Sequence, residues 1–367
     1  MRYAELADIY EQLERTPAKL GKTAIIAKLF KKAPAKRLPR LVLLLMGRVF
    51  PAWSAEEIGV AGKLMTKAIA AAVSQTEAAV TRKFTETGDL GQTAEFFVMR
   101  RRQRALGRKA LTVDDVFDTV RKVARQTGPG STERKLKLIA GLLVRAGPKE
   151  ARYVVRTILE ELRVGVAEGM IRDAIAAAFH IPTRKVEDAW FLHPDYGKIA
   201  KVVKERGEAG LKAIKLELGM PIMVLLAEKA PDLKTAIESF RHCVLEFKYD
   251  GMRANIHKKG DKIWIYTRRL EDVTSAFPDL VEFCREGILA KEAIVDGEAL
   301  AIDKKTGRPL PFQMLSTRIK RKYRIKEVIK EIPVQLHVFD IIYLEGKMLF
   351  DLRLAERIKL LRKVIRP

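Results

Sequence analysis

The stretch Val244-Leu245-Glu246-Phe247-Lys248-Tyr249-Asp250-Gly251-Met252-Arg253 decides how the rest of the chain is read. The apolar alternation from Val244 to Phe247 predicts a strand, which runs into a tight Asp250-Gly251 turn. Lys248 then stands where strand meets turn, with a second cation, Arg253, five positions on. A free lysine titrates about three units above neutrality, a deficit of roughly 4 kcal/mol for a nucleophile, so an adjacent cation or partial burial has to supply the shift. Lys-x-Asp-Gly alone has few fixed letters, and Asp-Gly is also a common hairpin turn, so the stretch needs support from elsewhere.

On its C-terminal side, Ala254 to His257 and Ile263 to Thr267 alternate as strands around a Lys259-Gly260-Asp261 turn, an antiparallel meander with the first strand. Further strands are predicted over Ala293 to Ile302 and Val334 to Leu344, with helices between, and an amphipathic helix from about Asp351 to Ile365. On its N-terminal side apolar residues recur three and four apart. Leu6, Ile9, Tyr10 and Leu13 form one such face; Val154, Val155, Ile158, Leu159 and Leu162 form another. Helix starts are expected at Thr112-Val113-Asp114-Asp115, Ser131-Thr132-Glu133 and Pro148-Lys149-Glu150. The chain therefore reads as multi-domain, an all-α part over residues 1–216 and an α+β part with antiparallel sheets over 217–367, divided in a region holding Gly210, Gly219 and Pro221.

Composition narrows the class. Seventy Lys and Arg against 46 Asp and Glu give a net charge of +24, which suits a polyanion, nucleic acid foremost. The helical part carries 41 cations against 24 anions and the remainder 29 against 22, so the first part is the more basic. Its densest clusters fall in expected connections, where Lys31, Lys32, Arg100, Arg101, Arg102 and Arg104 are candidates for phosphate contact. One asparagine, seven glutamines and 32% charged residues are a heat-adapted composition. Cys243 and Cys284 cannot build a disulfide framework, and neither they nor the five histidines have metal-cluster spacing. With no signal peptide and no membrane-length apolar run, a cytoplasmic protein is expected, as a monomer and without a membrane partner.

Several spaced elements agree on one family. Lys248 to Arg253, Thr267-Arg268-Arg269-Leu270-Glu271-Asp272-Val273-Thr274 with Phe277-Pro278-Asp279, Ile294-Val295-Asp296-Gly297-Glu298-Ala299, and His337-Val338-Phe339-Asp340-Ile341-Ile342-Tyr343-Leu344 with Gly346 resemble the adenylation (nucleotidyltransferase) domain of ATP-dependent DNA ligases. Thr87-Gly88-Asp89-Leu90-Gly91 and Leu162-Arg163-Val164-Gly165-Val166 resemble stretches of the family's helical DNA-binding domain, so the whole chain is similar to the archaeal replicative type. The resemblance implies that Lys248 attacks the α-phosphate of ATP and holds AMP as a phosphoramidate. It implies that Arg253 and Arg268 lie near the nucleotide or the nick phosphate, that Glu246 helps read the adenine edge, and that Phe339 stacks on adenine. Glu298 would contact the ribose hydroxyl or a divalent metal. ATP and Mg²⁺ are thus the implied cofactors, nicked duplex DNA the substrate, and a sliding clamp a partner of the intact enzyme.

In the family, the helix matching Asp351 to Ile365 is followed by two lysine-bearing strands and an oligonucleotide-binding barrel. The expectation is therefore a fragment, with a truncated adenylation domain and weak or no sealing alone. Where the family has a Pro-Met-Leu-Ala run, Val224 and Leu225 replace the proline and the methionine. The mRNA capping guanylyltransferases and RNA ligases use the same nucleophile motif; labelling of the lysine by ATP or by GTP tells them apart. A module that only grips duplex DNA is the other alternative.

Overall fold

In the computed structural model, which describes residues 1–54, 56–101, 110–223, 227–240, 242–319 and 325–366, the three- and four-residue spacing of the first half becomes helix. In order these are α1 (Tyr3–Arg15), α2 (Lys19–Lys32), α3 (Leu38–Leu45), α4 (Gly62–Val73), α5 (Glu77–Thr87), α6 (Leu90–Met99), α7 (Val113–Ala124), α8 (Ser131–Arg145), α9 (Pro148–Ile158), α10 (Glu168–Phe179), α11 (Thr183–Leu192) and α12 (Tyr196–Arg206). All three expected starts are present. At α7 the Thr112 hydroxyl accepts from Asp115 N–H while the Asp115 carboxylate accepts from Thr112 N–H, a reciprocal cap that serves two otherwise unpaired donors. Leu6, Tyr10 and Leu13 of α1 and Val154, Val155 and Ile158 of α9 are buried in one core. The chain divides into two compact units, Met1–Trp190 with Asp195–Ile214, and Phe191–Pro194 with Lys215–Pro367. No helix among the described residues is long and apolar enough to cross a membrane.

The second unit contains a five-stranded antiparallel sheet in the order β2-β1-β3-β4-β5. Its strands are β1 (Met252–Lys259), β2 (Lys262–Tyr266), β3 (Glu292–Ala301), β4 (Val334–Leu344) and β5 (Lys347–Met348). Its helices are α13 (Leu233–Glu238), α14 (Pro278–Gly287), α15 (Phe312–Ile319), α16 (Ile325–Glu331) and α17 (Leu354–Val364). Period-two alternation gives the sheet two different faces. Met252, Ala254, Ile256, Val295, Ala299 and Ile341 face a core shared with Leu280 and Cys284 of α14, Leu315 of α15 and Leu361 of α17. The opposite face carries Arg253, Asn255 and His257 of β1 beside Glu298, Asp296 and Ile294 of β3, residue opposite residue.

One end of that opposite face is covered by the segment from Leu216 to Ile222, which packs on Ile294 and Ile342. Gly219 fastens it. Its N–H donates to His257 Nδ1 at 3.2 Å and its carbonyl accepts from Tyr266 Oη at 2.5 Å. At φ +87° it occupies the left-handed region, and a Cβ there would stand 2.9 Å from the Trp264 ring, so only glycine fits.

One expected element is not formed. Val244 to Phe247 is not a strand: the described residues from 242 to 251 have no ladder pairing, and Leu245 and Phe247 are 74% and 86% exposed. Alternation supplies a face, but a strand also needs a neighbour. β1 begins at Met252, opposite Ala299, and β3 ends two residues later at Ala301, so nothing extends beside the earlier run. The meander accordingly consists of β1 and β2, with β3 on the other side of β1. Val224 and Leu225 lie outside the described residues.

Candidate active site

The polar face of β1 and β3 is where several of the candidate side chains meet. Arg253 is cross-strand to Glu298, and its guanidinium grips the Asp296 carboxylate through Nε, at 3.2 Å from both oxygens, and through Nη2. Asp296 is buried, and desolvation, with Asp340 adding repulsion, pushes its carboxyl above the usual range despite Arg253. Arg253 is correspondingly held in its charged form: burial opposes the charge, but its bond to Asp296 outweighs that. Burial also raises Glu298, against the opposing pull of the Gly251 N–H, Lys248 and Arg253. The Arg253 guanidinium carbon lies 5.7 Å from the centre of the Phe339 ring, within cation–π range. Phe339 sits at an irregularity in the β3–β4 register, between the pairs Asp296–Asp340 and Gly297–Val338. Arg253, Glu298 and Phe339, far apart in sequence, are thus neighbours. Asp340 is held on its other side by Arg357 of α17, at 2.8 and 3.0 Å.

Lys248 stands at the rim of this group. It is exposed, so partial burial, one of the two alternatives expected for it, is not found, and its ammonium acts electrostatically on Glu298. Tyr249 stacks on His337 of β4, with ring centroids 4.2 Å apart and planes inclined by 27°. Glu246, expected on the same strand face as the lysine, is instead exposed on irregular backbone, because that strand is not formed. Arg268 is exposed in the turn after β2. Neither makes a hydrogen bond, ion pair or ring contact with Arg253, Glu298 or Phe339.

Deeper on the same face, His257 accepts from Gly219 at Nδ1, so its proton is on Nε2, which donates to Asn255 Oδ1 at 2.7 Å. Burial lowers its pKa to about 3, which keeps it neutral. The residues that sequence reasoning passed over are Asp296, His337 and Tyr249. For Asp296 a signal existed: it lies two positions from Glu298 and so shares its face.

Among the basic candidates of the first unit, Lys31 and Lys32 are exposed at the end of α2, and Arg100 is exposed with its guanidinium 3.7 Å from the Phe96 ring centre. Arg101 is half-buried and donates to the Val144 carbonyl at 3.0 Å, which ties it to the fold. Arg102 and Arg104 lie outside the described residues. The Thr87–Gly91 stretch has structural work: Asp89 caps α6 through Gly91 and Gln92 N–H, and binds Arg156 at 2.8 and 3.0 Å in the core.

The donor set of the polar face can be tested against a nucleotide and a metal. A half-buried aromatic ring, a fixed guanidinium and a lysine at the rim suit a base and phosphates. Asp296 is committed to Arg253, which leaves Glu298 as the carboxylate for a cation, and no group of three or more His, Cys, Asp or Glu converges among the described residues. The face therefore fits a divalent ion of the kind completed by phosphate oxygens and water, not a protein cage.

Comparison with known proteins points to one family. Residues 2–176 match the family described as DNA ligase N terminus, and residues 224–367 the family described as ATP dependent DNA ligase domain. A DNA ligase of Nanoarchaeum equitans is 46% identical over 366 residues, covering 100% of this chain and 64% of that protein. A DNA ligase of Methanopyrus kandleri is 44% identical over 368 residues, with 100% and 66% covered, and one of Thermococcus fumicolans 40% identical over 366 residues, with 100% and 65% covered. The chain spans 64–66% of the length of these relatives. With both matched regions in the family's order, the chain belongs to the ATP-dependent DNA ligase family.

Proposed function

We propose that this chain takes AMP from ATP onto Lys248 and serves nick sealing in duplex DNA, the first unit holding the DNA and the second carrying the chemistry. The observation that carries the reading is the convergence of Arg253, Glu298 and Phe339 on one sheet face beneath the Lys248 turn, in a chain of an ATP-dependent family. Lys248 Nζ, as the free amine, attacks the α-phosphorus; the P–N bond forms, the P–O bond to pyrophosphate breaks with its electron pair leaving on pyrophosphate, and the proton lost from the nitrogen passes to solvent. Arg253, oriented by Asp296, offers N–H groups to phosphoryl oxygens as charge builds on them. Phe339 presents its face to adenine, and Glu298 accepts from a ribose hydroxyl or holds a divalent ion. A divalent ion held by Glu298 would neutralise the phosphate charge. In the family's later steps AMP passes to the 5′-phosphate of the nick, and the adjacent 3′-hydroxyl displaces it. Arg268, Lys31, Lys32 and Arg100 are proposed as phosphate contacts, and the domain assignment to residues 1–216 and 217–367 belongs to the same reading.

The test is intact mass after incubation with ATP and Mg²⁺. A gain of one AMP, absent in Lys248→Ala and not reproduced with GTP, is the expected result. No gain by the parent chain overturns adenylation by this chain.

A second reading has its own observation. Glu246 and Lys248 lie on exposed, unpaired backbone, so a chain that grips duplex DNA without taking up AMP accounts for the basic helical unit alone. Its mark is affinity that falls steeply with salt, without base preference and without covalent nucleotide.

A further inference from the structure

We propose that His337 is a positioning residue for the nucleophile: its ring is the platform on which Tyr249 holds Lys248 at the edge of the site. The proposal rests on the reading of Lys248 given above. Residues 242–248 are exposed and in no regular element, and Tyr249 is the first side chain of the run to be half-buried. Three tethers hold the turn that follows. The Tyr249 ring lies on His337, Asp250 Oδ2 accepts from Phe312 N–H at 3.5 Å, and the Gly251 N–H is directed to the Glu298 carboxylate. The bond to Phe312 is at the limit of hydrogen-bonding distance and adds little. Consecutive Cα atoms are about 3.8 Å apart, so where the Tyr249 backbone is fixed, Lys248 is confined to a small arc. Of the three, the ring stack is the tether adjacent to the lysine.

The platform is itself rigid. His337 is opposite Glu298 in the β3–β4 ladder, and a Cβ on the neighbouring Gly297 would stand 2.7 Å from the His337 carbonyl oxygen. The two backbones therefore approach as closely as glycine permits, which fixes the imidazole's base. An exposed, irregular nucleophile segment meets a fixed aromatic surface one residue from the reacting amine. Neither ring is singled out by the residue types alone, since Tyr249 reads as a turn residue and His337 as part of a strand.

The experiment compares His337→Ala, His337→Phe and Tyr249→Leu in the full 367-residue chain. Two quantities are read: the rate of AMP attachment as a function of ATP concentration, and hydrogen exchange of the peptide spanning residues 242–251 without nucleotide. His337→Ala should slow the maximal rate about three- to ten-fold, the worth of one aromatic pair, with little change in the ATP concentration for half-maximal rate. It should also speed exchange, and His337→Phe should restore both. Tyr249→Leu, altered outside the sheet, should reproduce the defect even where His337→Ala impairs folding. The double variant should be no slower than either single one. Unchanged rate and exchange in His337→Ala, or no rescue by phenylalanine, overturns the proposal. If the parent chain takes up no AMP, the adenylation reading falls, and the exchange comparison still decides the stack.

Discussion

His257 is neutral by construction: its Nδ1 accepts from Gly219 N–H of the Leu216–Ile222 segment, a strap across the sheet, its Nε2 donates to Asn255, and burial lowers its pKa to about 3. Unfolded, the ring titrates near 6.5, so between these values the unfolded chain binds the extra proton. The contribution is thus complete above pH 6.5 and is lost as pH falls toward 3. Thermal unfolding of the second unit, followed from pH 7.5 to 4, should lose stability by up to about 1.4 kcal/mol per pH unit through this group, and His257→Gln should flatten that slope. A second residue-scale prediction concerns Asp89. Asp89→Asn keeps an oxygen for the α6 cap but leaves buried Arg156 with Glu14 alone, at 3.1 Å. The cost should be about 3 kcal/mol in denaturant unfolding of the helical unit. The Thr87–Gly91 resemblance was legible as a family mark; that its aspartate closes a core ion pair was not, because the partner lies 67 positions away.

Among the elements, β4 was read from the sequence with its bounds, since Pro333 and Gly346 bracket an unbroken run of strand-forming residues. Val244 to Phe247 had an equally good local pattern and formed no strand, because pairing is decided by whether a neighbour extends alongside. Two outcomes follow. Phe247→Ser should change the free energy of denaturant unfolding by less than about 0.5 kcal/mol, since the ring is 86% exposed. Gly297→Ala should destabilise the second unit by roughly 1–3 kcal/mol, as the added methyl has to push β4 away from β3.

At the scale of the whole chain, the division into a helical and an α+β part was legible from a change of period, and the convergence of Arg253, Glu298 and Phe339 from family resemblance. What the sequence could not express was the register. Only the pairing of β1 with β3 brings Asp296 under Arg253, and only that of β3 with β4 sets His337 beside Glu298. For the basic first unit, reversing the exposed Lys31, Lys32 and Arg100 to glutamate should weaken duplex binding alike on all sequences. The dependence of log affinity on log salt should become shallower by about one for each phosphate that is no longer neutralised. The strap across the sheet has a consequence of a different kind. Because the Trp264 indole lies against Gly219, with Lys262 Nζ 4.6 Å from its ring centre, any lifting of the strap changes the solvent around that indole. With Trp53 and Trp190 replaced by phenylalanine, the chain carries its own optical reporter of strap movement, needing no attached dye.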